Sequence, residues 1–196
     1  MIYIELVGLD GAGKSRLAWS LKHHLGDRAR VISVSMAEIT YSVARRVVMR
    51  DAISPVTRAI AYMAAHSEVY DKIASDLDAI DYLIGDRGYG CFSAYQHHCP
   101  VEVIDALWSI AMRGIFPDLL VFVDTPVLLC QDRIARRRNP SALDKKPASW
   151  HEAVRDRYLT FCGSYDRGEV LILEGSRHSD ILRDRVLKAL EAIPLK

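Results

Sequence analysis

Residues Gly8-Leu-Asp-Gly-Ala-Gly-Lys-Ser15 carry the spacing G-x-x-x-x-G-K-[ST]. Glycines at these intervals let the backbone curl so that successive N–H groups point inward, and a following helix adds its positive N-terminal end. Such a loop cradles a nucleotide polyphosphate: Lys14 reaches the β- and γ-phosphates, and the Ser15 hydroxyl ligates Mg²⁺. A glycine-rich turn matching by chance would lack the flanking elements present here. Ile2–Val7 is a strand-like apolar run, and Leu17, Ala18 and Leu21 follow at helical spacing.

A second cluster lies in Tyr82–Gln96, where an Asp86-Arg87 pair ends an apolar run. In open α/β sheets ligands bind at the carboxyl ends of strands. There Asp86 holds a Mg²⁺-bound water and Arg87 clamps an acceptor phosphate; the plainer alternative is a surface ion pair. A third cluster is basic: Arg133 and Arg136, Arg137 and Arg138, followed by a polar, proline-bounded stretch up to Pro147. A flexible basic loop over a nucleotide site is a lid candidate, placed at about residues 136–148. No guanine-reading N-K-x-D is present, which disfavours a switch GTPase, and the short chain disfavours a motor. A small-molecule kinase needs acceptor-side arginines and a closing lid.

The elements that must hold these residues follow from the pattern. Apolar runs at Ile2–Val7, Val31–Val34, Tyr82–Ile84, Leu119–Val123 and Val170–Leu173 alternate with helical patterns, as in βαβ units around a parallel sheet buried on both faces. The periodicity predicts a helix over Pro55–Asp81 with a stripe of Ile60, Ala64, Val69, Ile73, Leu77 and Ile80. It predicts others over Val101–Met112 and Trp150–Cys162, the last with Arg155 facing away from the core. The chain has 196 residues, is 50% hydrophobic and 26% charged, and carries a net charge of +1, the balance of a soluble globular protein read as one domain. No global field recruits nucleic acid or a membrane surface. Four dispersed cysteines and the absence of a leader or spanning segment predict a reduced, cytoplasmic protein. His97-His98-Cys99 is expected to end a helix and begin a loop, with no metal site.

These motifs together resemble the thymidylate kinase family of P-loop nucleoside-monophosphate kinases. The resemblance rests on G-x-D-G-A-G-K-S at Gly8–Ser15, D-R…A-Y-Q at Asp86–Gln96 and P-D-L…D-x-P at Pro117–Pro126, with the basic stretch Arg133–Arg138 and V-R-x-x-Y at Val154–Tyr158. It implies a three-layer P-loop fold with a five-stranded parallel sheet in the order 2-3-1-4-5, ATP as donor, Mg²⁺ as cofactor, and commonly a homodimer. ATP then lies on Gly8, Asp10, Gly11, Ala12, Gly13, Lys14, Ser15, Arg16 and Arg133, with Arg133 stacking on adenine. The acceptor lies on Asp10, Tyr62, His66, Arg87, Tyr95 and Gln96, with Ser15 and Asp86 at the metal. Some members carry an arginine where this chain has Gly11; those with glycine supply one from the lid, here Arg136, Arg137 or Arg138.

Two departures bear on the acceptor. The family's arginine after the second strand is missing from Ser33–Thr40, leaving Arg45, Arg46 or Arg50 as substitutes from the next helix. In the long helix, A-A-D-R is matched by Met63-Ala-Ala-His66, which places His66 in the base-reading slot, although an imidazole on an apolar face is also an ordinary core residue. Cys91 stands where serine is usual. The expected activity is therefore phosphorylation of thymidylate or a related pyrimidine nucleotide. The alternatives are a kinase acting on a hydroxyl, with Asp10 or Glu38 as base, and a silent nucleotide-binding protein.

Overall fold

A computed structural model describes residues 1–48, 53–136 and 143–195. Five strands, β1 (Ile2–Val7), β2 (Ala29–Ile32), β3 (Tyr82–Asp86), β4 (Leu119–Asp124) and β5 (Glu169–Glu174), form one parallel sheet in the order β2-β3-β1-β4-β5. The helices are α1 (Lys14–Leu25), α2 (Glu38–Val48), α3 (Pro55–Ile73), α4 (Tyr89–Tyr95), α5 (Val101–Ala111), α6 (Val127–Ala135), α7 (Ala148–Ser164) and α8 (Ser179–Leu190). The expected three-layer order is the observed one.

Strand position in the sheet explains strand composition. β1 is central and every residue of it is buried, whereas edge strand β5 leaves Ile172 45% exposed. Register aligns the ends that matter: Leu6 of β1 lies opposite Asp86 of β3, and Val7 opposite Phe122 of β4. The loop leaving β1 and the Asp-Arg pair leaving β3 therefore emerge side by side. One core cluster joins β1 and β4 to α1, α7 and α8; a second packs α3 and α5 around Tyr3, Leu83 and Trp108.

Three local expectations shift. β2 ends at Ile32, and Val34–Met36 forms a 3₁₀ turn capped by the Ser33 side chain. α3 stops at Ile73 and passes into a 3₁₀ turn over Ala74–Ala79, where Ser75, Asp76 and Asp78 offer the backbone competing hydrogen bonds. Its buried stripe is Ala59, Met63, His66, Val69 and Ile73, while Ile60 is 52% exposed. That stripe is rotated by one residue from the expected one at its N-terminal end. Among the described residues no helix is long and apolar enough to cross a membrane.

Candidate active site

The loop between β1 and α1 is pressed against α6. Gly11 has φ +84°, and a Cβ there would lie 2.5 Å from the Cys130 carbonyl oxygen, so only glycine fits. Three hydrogen bonds from two side chains fix its backbone. Thr125 Oγ1 donates to the Ala12 carbonyl at 3.1 Å, and Arg133 Nη1 donates to the Gly11 and Ala12 carbonyls at 3.2 Å each. Arg133 Nη2 also reaches the Gly175 carbonyl at 3.4 Å, so this arginine ties the loop to the segment after β5.

Lys14 is buried and folds back over the loop it follows, donating to the Gly8 carbonyl at 2.8 Å and the Leu9 carbonyl at 2.7 Å. Burial, then the nearby Arg87 guanidinium, lower its pKa. Ser15 Oγ donates to Asp86 Oδ2 at 2.5 Å, while Asp86 Oδ1 is buried without a hydrogen-bond partner. A hydroxyl and a carboxylate meeting this way, with one oxygen orphaned, suit a hard divalent cation.

Arg87 adopts φ +75°, an unusual backbone for a non-glycine residue, and its guanidinium is ion-paired with Asp10. Asp10, Lys14, Ser15, Arg16, Arg87, Arg133 and Arg136 all border one cleft of about 380 Å³. The phosphate loop and Arg87 of the β3 turn thus meet at one cleft, with Ser15 tied to Asp86 at its edge. Arg136 pairs with Asp132 on the exposed side of α6, and Arg137 and Arg138 lie outside the described residues.

The residues expected at the acceptor lie among aromatic rings. Tyr62 of α3 contacts the rings of Tyr41 (6.4 Å) and Phe92 (6.5 Å), and burial pushes its hydroxyl pKa up to about 12. Arg45 sits over the Tyr41 ring at 5.9 Å, and with Arg46, Ser35, Glu38, Tyr41 and Ser42 it lines a second hollow of about 640 Å³. Arg50 lies outside the described residues. Tyr95 ends α4 against Trp150 and Tyr158, and half-buried Gln96 follows it. His66 goes elsewhere: its ring packs on Trp108 at 4.9 Å, and burial lowers its pKa to about 4. That is the setting of a core imidazole. Cys91 is likewise interior, its sulfur accepting from the Tyr158 hydroxyl at 3.1 Å. The His97 and His98 rings lie in contact after α4, and the described residues hold no cluster of metal-ligating side chains.

Two features escaped the sequence reading. Arg155 does not face away: it grips Asp124 at the carboxyl end of β4. Glu5 is fully buried in β1 and accepts from the backbone N–H groups of Gly90 and Cys91. A lone carboxylate inside the apolar run Ile2–Val7 was the signal for the second.

Parallel strands in this order, carrying a lysine–serine phosphate loop on the central strand, define the P-loop nucleotide kinases. Within that class the chain belongs to the thymidylate kinase family, whose profile, described as "Thymidylate kinase", matches residues 6–186. The chain is 31% identical to the thymidylate kinase of Leuconostoc mesenteroides, over 81% of this chain and 80% of the relative. It is 27% identical to those of Nitrosomonas eutropha (96% and 92%) and Caldanaerobacter subterraneus (96% and 94%). The family consists of phosphotransferases that act on nucleoside monophosphates with ATP.

Proposed function

We propose that this enzyme transfers the γ-phosphoryl group of ATP to the phosphate of thymidylate or a related pyrimidine nucleoside monophosphate. An acceptor phosphate oxygen attacks the γ-phosphorus, the bond to the β-phosphate bridging oxygen breaks, and ADP leaves with that electron pair. The observation that carries this reading is the meeting of Lys14 and Arg87 in one cleft, one from the donor loop and one from the β3 turn. Lys14 exchanges its loop carbonyls for β- and γ-phosphate oxygens, and Arg87 turns from Asp10 towards the acceptor phosphate. Asp10 is thereby released to the acceptor sugar, beside Tyr95 and Gln96. Gly8, Gly11, Ala12 and Gly13 shape the phosphate cradle, with Arg16 at its rim and Arg133 between it and the adenine side.

Ser15 and Asp86 would hold Mg²⁺, which supplies charge neutralisation across the β- and γ-phosphates when bound. Residues 136–148 act as the lid, and one of Arg136, Arg137 and Arg138 adds positive charge to the transferring group. Arg45 stands on the acceptor side through Tyr41 and Tyr62, which makes it the substitute for the arginine missing after β2. His66 is assigned to packing and Tyr62 to the acceptor base. The assembly is a cytoplasmic homodimer of one-domain chains, and apolar Ile39 and Val43 on α2 and Ile60 on α3 are exposed to serve it.

An ATP-consumption screen with Mg²⁺ across nucleosides and nucleoside monophosphates, with products identified by mass, tests the reading. A pyrimidine nucleoside diphosphate supports it. A nucleoside monophosphate formed from a nucleoside points instead to the hydroxyl kinase, and no turnover with any acceptor refutes both.

A further inference from the structure

The β3–α4 turn that aims Arg87 is short, and its geometry needs an anchor. Arg87 sits at φ +75°, a conformation unfavourable for a non-glycine residue unless its surroundings enforce it. Gly88 follows in an extended conformation, and α4 begins at Tyr89 without any side-chain cap from its own residues. The first amides of α4 would be left over, as at any helix start. Glu5 reaches them from beneath. Its Oε1 accepts from Gly90 N at 2.8 Å and Cys91 N at 3.4 Å, across eighty-five residues of chain in the first case.

The packing admits little else. A Cβ at Gly88 would lie 2.9 Å from the Glu5 carboxyl carbon and Oε2, and 2.7 Å from the Tyr3 hydroxyl. A Cβ at Gly85, the β3 residue opposite Glu5, would meet that hydroxyl at 2.7 Å as well. Oε2 and the Tyr3 hydroxyl lie close together without forming a well-aligned hydrogen bond. A buried carboxyl is costly in an apolar strand, where a Val or Leu would be the natural occupant.

We propose that Glu5 is a positioning residue for the acceptor site: by holding the start of α4 onto β1 it fixes the Arg87-Gly88 turn, and with it the direction of Arg87 and the placement of Tyr95. Glu5 touches no substrate. Its effect passes through the turn and through the helix that Tyr95 ends. The proposal rests on Arg87 being the acceptor-phosphate residue, and it makes the acceptor side, not the ATP side, sensitive to a side chain under the sheet.

The test uses the full-length enzyme with Glu5→Leu and Glu5→Gln. Glutamine keeps an acceptor oxygen for both amides; leucine keeps bulk and removes it. Glu5→Leu should raise the acceptor KM by about tenfold or more, leave the ATP KM within about twofold, and speed amide hydrogen exchange in residues 87–96 while residues 8–15 stay protected. Glu5→Gln should restore both. In an Arg87→Lys background Glu5→Leu should add little further loss, because the two act as a unit. An unchanged acceptor KM and unchanged exchange in folded Glu5→Leu overturns the proposal, as does full additivity with Arg87→Lys. Where Glu5→Leu does not fold, Gly88→Ala takes its place, since the added methyl wedges the carboxyl away from α4; the same two outcomes apply. If Arg87→Lys alone leaves the acceptor KM unchanged, the assignment of Arg87 falls, and the exchange of residues 87–96 still decides whether Glu5 anchors the turn.

Discussion

Arg155 of α7 grips Asp124 at the end of β4 with both arms of its guanidinium, Nε to Oδ1 at 2.5 Å and Nη2 to Oδ2 at 2.7 Å. The main chain of Asp124 is also engaged, its carbonyl accepting from Gly175 N at 2.8 Å. One carboxylate therefore joins α7 to the strand edge beside the phosphate loop. The fork matters as much as the charge, because two parallel hydrogen bonds fix the rotation of α7 about this point.

Arg155→Lys keeps the charge and loses the fork. The pair is partly solvent-exposed, so the stability loss should be small, about 1 kcal/mol or less. The loss in kcat should be larger than that figure suggests if residues 136–148 close as the proposed lid, because α7 begins at Ala148, where that segment ends. Urea midpoints and steady-state kinetics on the same preparations separate the two. An unchanged kcat would show that lid position does not depend on this pair.

Lys14 makes its hydrogen bonds to two loop carbonyls inside a buried site, where its charge is disfavoured. Lys14→Met should therefore cost little stability while reducing kcat by roughly 10²–10³-fold, since a buried cation aimed at developing charge is the larger contribution to such a site. Turnover close to that of the unaltered enzyme would remove Lys14 from the chemistry.

Sequence spacing was enough for the alternating strands and helices, the phosphate loop and the Asp86-Arg87 pair, because each depends on neighbours within one βα unit; the strand order came from the family resemblance, since it depends on pairing between distant strands. Arg155 and Glu5 were different. Arg155 sits on a polar face of its helix by periodicity, and only the approach of β4 gives it Asp124. Glu5 was passed over inside an apolar run, because the partners that give it a role lie in α4. His66 shows the reverse problem: an A-A repeat drew it into a binding slot, whereas the rotation of α3 turns it towards Trp108. A helical stripe is fixed to within one residue only by what packs on it.

The His66 environment has a pH consequence. Burial lowers its pKa from 6.5 to about 4, so between those values the unfolded chain holds the extra proton and the folded one does not. Its contribution to stability is present above about pH 6.5 and is lost as pH falls towards 4. His66→Leu fills the same space beside Trp108 without a titrating group. Its urea midpoint should fall less than that of the unaltered protein across this window, and parallel midpoint curves would mean the imidazole is accessible to protons in the folded state.

Glu5 titrates with the opposite sense. Burial raises its pKa from 4.5 to about 8, against a smaller opposing effect of the Gly90, Cys91 and Tyr89 amides. The groups around it are Tyr3 on its own strand, Cys91 on α4, Cys162 on α7 and Tyr165 just beyond α7, and none of them offers a cation to relieve the burial. Between about pH 4.5 and 8 the folded chain holds a proton that the unfolded chain has lost. Stability from this group is therefore complete below pH 4.5 and drains away as pH rises through 8. Glu5→Gln carries no such dependence, so the difference in urea midpoint between variant and unaltered enzyme should move steadily in favour of the variant as pH rises. A difference that stays flat across the window would mean that Glu5 is ionised in the folded state, with the α4 amides outweighing its burial.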